Sequence, residues 1–282
     1  MKSYQLRCKE RKLEMGNTPL MMGVLNVTPD SFSDGGEFIE ASAAVERGLQ
    51  MEAEGADIID VGGESTRPGA EAIAAVEQIK RVCPVIWALA RQTEAPISVD
   101  TTSSEVAAAA LEAGASIIND ISALRFDGEM AQLASREKTP IILMHMQGTP
   151  RDMQNYPMYD DVVQEVKEFL AERIAYALSA GIEQEQIIID PGIGFGKSLG
   201  HNLSLLKQLA ILHELEAPVL VGPSRKSFIG KVLDIERPAA REYGTAAAVA
   251  ACVAAGVQIL RVHEVKAMRQ AAYLAAAIQS AE

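Results

Sequence analysis

Asn26, Asp60, Asp100, Asn119, Asp190, Arg261 and His263 stand at or near the ends of short apolar runs of strand length. Those runs are 21–27, 57–61, 96–100, 116–121, 186–190 and 257–263. Strand side chains alternate between two faces, so Asn26 shares a face with Val24, Asp60 with Ile58, and Asp100 with Ser98. By the same parity Asn119 goes with Ile117, Asp190 with Ile188, and Arg261 and His263 with Ile259. Any one of them could be an ordinary cap or turn former. Several strand ends converging in this way argue instead for a shared ligand. Asp100, Asn119 and Asp190 are acceptors suited to a planar heterocycle with a row of N–H donors, such as the amino-pyrimidinone edge of a pterin or guanine. A carboxylate receives two parallel N–H bonds in that geometry. Arg67, Lys226, Arg261 and His263 are expected further out, where they would hold a phosphate or pyrophosphate.

Positioning these groups is a task for alternating elements. Two further strands are expected at 140–146 and 218–221, with helices at 38–54, 72–91, 103–113, 128–137, 160–180, 202–215, 239–255 and 265–280. Gly55, Gly114, Gly181 and Gly256 fall where helices should stop. Thr102-Ser103-Ser104-Glu105 reads as a capping box. A faint repeat joins 54–60, 113–119 and 255–261, each a glycine stop running into a strand with a polar last residue. Eight strands, each followed by a helix, make an α/β chain with a (β/α)8 barrel, its site at the C-terminal strand ends. A doubly wound open sheet would want GxGxxG after the first strand, which is absent. Residues 1–20 form an N-terminal extension, possible as a small hairpin packed on the barrel, and 21–282 the barrel itself.

Composition narrows the function classes. The 282 residues carry a net charge of -12, which argues against nucleic acid or an anionic membrane as partner. Anionic ligands must then be held by local cations. Three cysteines without a CxxC pair suit a reducing, cytoplasmic compartment and exclude a disulfide framework. The N-terminus has no apolar core typical of a secretory signal. The apolar segment 246–255 is too short to span a bilayer. GIGFGKS has only three residues between Gly192 and Gly196, so it is not a phosphate loop and reads as a flexible loop bearing Phe195. His145 has the opposite parity to Met144 and reads as structural; His201 reads as a helix-start residue.

Four stretches carry a resemblance: MGVLNVTPDSFSDGG (22–36), DVGGESTRPGA (60–70), DPGIGFGK (190–197) and SRKSFIG (224–230). SVDT, IINDI, LMHMQGTP and RVHEV add to it. Over about residues 21–265 the chain resembles the dihydropteroate synthases of the bacterial folate pathway. The family condenses 6-hydroxymethyl-7,8-dihydropterin diphosphate with p-aminobenzoate, giving dihydropteroate and pyrophosphate. The resemblance implies Asp100, Asn119, Asp190 and Lys226 on the pterin, with Ile121 and Met144 lining its slot. It implies that Arg261 covers a pterin face and reaches the diphosphate with His263, Asn26 and Arg67. Asn26 would also ligate magnesium. Phe32, Thr66, Arg67, Pro68, Phe195 and Ser227 would form the p-aminobenzoate pocket, with the loops around Phe32 and Thr66–Pro68 closing over it. Lys226, Arg261, His263 and Asp100 are the implied catalytic set. A homodimer is implied too, and the Ala-rich 246–255 could supply close helix packing. One departure is Pro223, where relatives carry Met or Thr. A methyltetrahydrofolate-binding methyltransferase barrel shares the fold and the Asp/Asn constellation, but should lack the paired loops and Ser-Arg-Lys-Ser. A non-catalytic pterin-binding homologue should have lost cations or loop residues, and these are present.

Overall fold

A computed structural model describes residues 2–27, 37–66, 69–71 and 73–281. Two antiparallel strands, β1 (Tyr4–Cys8) and β2 (Arg11–Met15), come first. The barrel strands follow: β3 (Leu20–Asn26), β4 (Ile58–Gly62), β5 (Ile97–Asp100), β6 (Ile117–Asp120), β7 (Ile141–Met144), β8 (Ile187–Asp190), β9 (Leu220–Val221) and β10 (Ile259–Val262). Their order is β8-β7-β6-β5-β4-β3-β10-β9, every pairing parallel. A parallel bridge between Ile189 and Val219 closes β8 onto β9, and Ile189 N donates to Pro218 O (3.0 Å).

The alternation sorts side chains as expected. One face of the strands meets the surrounding helices in the main core, where Ile59, Val61, Val99, Ile118, Leu143, Ile189 and Leu260 are buried. The other face fills the barrel with Met22, Ile58, Ile117, Ile142, Ile188, Leu220 and Ile259. Leu6, Cys8 and Met15 of the hairpin pack against that inner layer and plug the N-terminal end. Burying each such side chain stabilises the fold by roughly 1.5–3 kcal/mol. Two residues further along the same faces the barrel turns polar, with Asp60, Asp100, Asn119, Asp190 and Arg261.

The helices are α1 (Glu37–Ala53), α2 (Ala75–Leu89), α3 (Ser104–Ala113), α4 (Met130–Arg136), α5 (Val162–Ser179), α6 (Leu199–Lys207), α7 (Ser227–Leu233), α8 (Glu242–Ala254) and α9 (Val265–Gln279). The four glycine stops all have positive φ. Three local expectations are corrected. The cap of α3 is Ser103, whose hydroxyl accepts from Val106 N, so the cap lies one residue beyond Thr102 and, with valine at the third helical position, no box forms. The expected helix 202–215 starts earlier, because Ser198 and His201 form a capping box, and it breaks into α6 and a 3-10 segment, Leu209–Leu215. Helix α7 was not expected from the sequence, being barely two turns long with a glycine inside. Gly230 is needed there because a Cβ would stand 2.5 Å from Ile235 O. Asp234, at φ 56, ends the helix.

Candidate active site

The polar layer is built across neighbouring strands. In the ladder Asp60 faces Ser98, Gly62 faces Asp100, Asp100 faces Asn119, and Met144 faces Asp190. Arg261 of β10 reaches across the barrel mouth. Its Nε donates to Asp60 Oδ2 (2.6 Å) and its Nη2 to Asp100 Oδ2 (2.8 Å). Asn119 Nδ2 donates to the same Asp60 oxygen (3.1 Å). The second oxygens, Asp60 Oδ1 and Asp100 Oδ1, are buried with no donor among the described residues. Such acceptors are costly to bury unpaired and are open to a ligand's N–H groups.

Burial pushes the Asp100 carboxyl up to about 7, against the opposing pull of Arg261. It raises Asp190 to about 6, while Gly192 N, donating to Asp190 Oδ1 at 2.7 Å, and Lys226 oppose the rise. Burial and the nearby Arg261 lower the Lys226 ammonium to about 8. Arg261 itself is driven upward by Asp60 and Asp100 despite its burial. These groups enclose a narrow cleft. Thr66, Asp100, Asn119, Ile121, Met144, Asp190, Ile193, Phe195, Gly222, Lys226 and Arg261 line it. Ile121, Met144 and Phe195 supply an apolar wall continuous with Met146 and Met153. Lys226 Nζ sits 4.0 Å from the Phe195 ring centroid, a cation–π contact. The arrangement is a narrow slot with acceptors, two cations set among them and apolar surface beside them.

The family of pterin binding enzymes matches residues 22–263 of the chain. A dihydropteroate synthase of Synechocystis is 48% identical over 265 residues, covering 94% of this chain and 92% of the relative. The solved structure of the Xanthomonas albilineans dihydropteroate synthase with 4-aminobenzoic acid matches with a TM-score of 0.94 and 47% identity, covering 100% of both chains. The same organism's enzyme in complex with 7,8-dihydropteroate matches with a TM-score of 0.88 and 43% identity, over 99% of this chain and 100% of that one. The chain belongs to the dihydropteroate synthase family.

Within this synthase fold, nine of the residues expected at the site line the cleft together: Thr66, Asp100, Asn119, Ile121, Met144, Asp190, Phe195, Lys226 and Arg261. Asn26, Ser227 and His263 do not line it. Asn26 Oδ1 lies close by, 3.7 Å from where a Gly62 Cβ would stand, with Asp100 Oδ2 at 3.8 Å from the same point. Ser227 is exposed at the start of α7. His263 Nδ1 is 2.9 Å from the hydroxyl of the buried Ser224. Phe32, Arg67 and Pro68 lie outside the described residues.

The expectation that the cations sit further out is corrected for Arg261 and Lys226. Both lie among the carboxylates, because buried Asp60, Asp100 and Asp190 need a countercharge at hand. The loop after β8 is likewise not flexible. Residues 191–193 and 195–197 are buried, and Gly192, at φ 65, lies so close to β7 that a Cβ would be 1.9 Å from His145 O. Ile193 and Gly222 line the cleft and were not singled out from the sequence, while Asp60 was placed at the barrel mouth but given no role. Parity had already put Asp60 on the inner face, which was the available signal.

Proposed function

We propose that the protein condenses 6-hydroxymethyl-7,8-dihydropterin diphosphate with p-aminobenzoate to give 7,8-dihydropteroate and pyrophosphate. What carries the reading is one cleft that sets Asp100, Asn119 and Asp190 opposite an apolar wall and two cations, in a chain so similar to synthases solved with 4-aminobenzoic acid and with dihydropteroate. Asp100 and Asp190 would accept the pterin's N–H groups, Asn119 would complete the edge, and Lys226 would donate to a ring acceptor. Ile121 and Met144 would flank the ring. Arg261 would give up contact with Asp100 to lie over the pterin and meet the diphosphate beside His263, Asn26 and Arg67. Thr66, Phe195 and Ser227, with Phe32, Arg67 and Pro68, would receive the aryl amine.

The cations stabilise negative charge as the pyrophosphate leaves, and the electron-rich ring spreads the positive charge left on the methylene carbon. An aryl amine then suffices as nucleophile. Closure by the loops around Phe32 and Thr66 would keep water away from that carbon. Magnesium fits as a substrate-borne ion. Among the described residues no group of three or more His, Cys, Asp or Glu could cage it, whereas Asn26 Oδ1, at the end of β3 near Asp100, would offer it a single neutral oxygen. When bound, it would neutralise charge on the leaving group.

A homodimer goes with this reading, and exposed Val232, Leu233, Tyr243, Leu274 and Ile278 on the adjoining α7, α8 and α9 offer apolar surface for a second copy. Cytoplasmic residence accords with three free cysteines. No helix among the described residues is long and apolar enough to cross a membrane. The test is to mix the purified protein with pterin diphosphate, magnesium and p-aminobenzoate. Dihydropteroate is the expected product, and its absence would overturn the assignment.

A further inference from the structure

Lys197 is 3% exposed and stands behind the cleft, outside its lining. Its Nζ donates to Phe195 O (2.9 Å) and to His145 Nδ1 (2.8 Å), with His145 O at 3.4 Å. Burial pushes the Lys197 ammonium well below the ordinary lysine range, yet in either protonation state an N–H remains for the Phe195 carbonyl; when Lys197 is charged, His145 Nδ1 accepts and the imidazole proton sits on Nε2. Burial, then the charges of Lys197 and Arg125, push the imidazole down to about 2, so the ring is neutral throughout the working range. His145 is itself fixed, its ring edge-on to Phe169 at 4.8 Å and its backbone N donating to Asp190 O (2.9 Å). The ends of β7 and β8 are therefore joined by backbone at Asp190 and by side chain at Lys197.

We propose that Lys197, through His145, is a positioning residue that holds Phe195 in place for the aryl amine. The proposal rests on the reading of the cleft given above. Among the described residues the Phe195 side chain is held by packing and the Lys226 contact. The neighbouring glycines are held elsewhere. Gly194 N donates to Asn202 Oδ1, Gly194 O accepts from Gln154 Nε2, and Gly196 O accepts from the Tyr159 hydroxyl. Lys197 supplies the donor to the Phe195 carbonyl itself. Without that bond a buried carbonyl is stranded and the aromatic wall loses its fixed distance from Lys226. Of the pterin contacts, Asp100 and Asn119 sit on other strands and Asp190 keeps its own bond from Gly192 N, so they should be affected less.

Lys197→Met keeps side-chain length and removes every donor. Expected is a rise of about tenfold or more in KM for p-aminobenzoate, with the Kd for a pterin analogue changed less than about threefold. Deuterium exchange over residues 191–197 of the ligand-free protein should quicken. His145→Leu should reproduce both effects. His145→Asn, whose amide oxygen can stand in for Nδ1, should restore values near wild type. The histidine pair carries the test if Lys197→Met does not fold. A folded Lys197→Met enzyme with an unchanged amine KM would overturn the proposal, and so would equal losses for amine and pterin, which mark general loosening. If the wild-type protein makes no dihydropteroate, the assigned reaction falls. The exchange comparison then still judges the tie, and unchanged exchange would sink it.

Discussion

Arg261 Nη2 lies 2.8 Å from Asp100 Oδ2, so this guanidinium is bound to a carboxylate proposed above to receive the pterin. The same guanidinium holds Asp60, which is fully buried. Arg261→Met should therefore do more than weaken catalysis. Removing one partner of a buried ion pair costs about 3–5 kcal/mol, because an uncompensated charge is left behind. The folded Asp100 pKa is raised above its unfolded value, so its ionisation lowers stability as pH rises, and losing Arg261 raises that pKa further. The extra destabilisation should thus appear mainly above the present value of about 7. Denaturant unfolding at acidic and at alkaline pH measures this. A loss equal at both would show that Arg261 does not offset Asp100.

Pterin affinity should depend on pH in a stated direction. Asp100, near 7, and Asp190, near 6, accept two N–H bonds only when ionised. Affinity for a neutral pterin analogue should therefore rise as pH climbs through that interval and level off above it. Calorimetry in buffers of differing ionisation heat should also detect proton release on binding near pH 6.5, an interval set by these carboxylates. Affinity that falls across the interval would contradict the assigned acceptor roles.

Lys226→Ala should cripple pterin binding as well as turnover. Its ammonium lines the cleft and faces Asp190 and Asp100, so truncation strands a ligand acceptor and removes charge compensation at once. A stranded buried group costs about 1–3 kcal/mol, which corresponds to roughly tenfold to a hundredfold in affinity. Normal binding of a pterin analogue by the variant would remove Lys226 from the pterin's contacts.

The barrel was legible because its signals are local and repeated. Glycine stops such as Gly114 precede strands whose inner face can be counted by twos, and that count placed Asp100, Asn119 and Asp190 together. What the sequence concealed was depth and pairing. Nothing in the one-dimensional pattern says that Arg261 swings inward to Asp60 and Asp100, since that contact spans the barrel mouth. Nor does a run of glycines disclose that Lys197 is buried against His145, which turns an apparently loose segment into a packed one. Helix α7 escaped because Gly230 and a length of two turns weaken every periodic signal.

Magnesium should bind with the diphosphate and not with the protein alone. Asn26 offers one neutral oxygen, and no three-residue acidic or histidine cage exists among the described residues. Titration of the ligand-free protein should give no tight site, and one should emerge when pyrophosphate is added. Asn26→Ala should weaken that ternary binding and spare the affinity for a pterin lacking phosphate. Tight magnesium binding without any phosphate ligand would count against a substrate-borne ion.

The order of bond breaking and making can be argued from an asymmetry in the site. Phe195, Thr66 and Ser227, where the amine would sit, carry no general base themselves, and the titratable group beside Phe195, Lys226, is the one assigned above to the pterin. The opposite end would gather Arg261, His263, Asn26 and a metal ion on the leaving pyrophosphate. A site that invests its charge in the departing group favours cleavage of the carbon–oxygen bond ahead of attack. With pterin diphosphate and magnesium but no amine, slow pyrophosphate release is therefore expected. Anilines of differing basicity should alter the single-turnover rate only weakly, because the nucleophile arrives after the barrier. A steep dependence on amine basicity would place the nucleophile in the bond-breaking step. The dissociative order would then have to be abandoned, with the family assignment left intact.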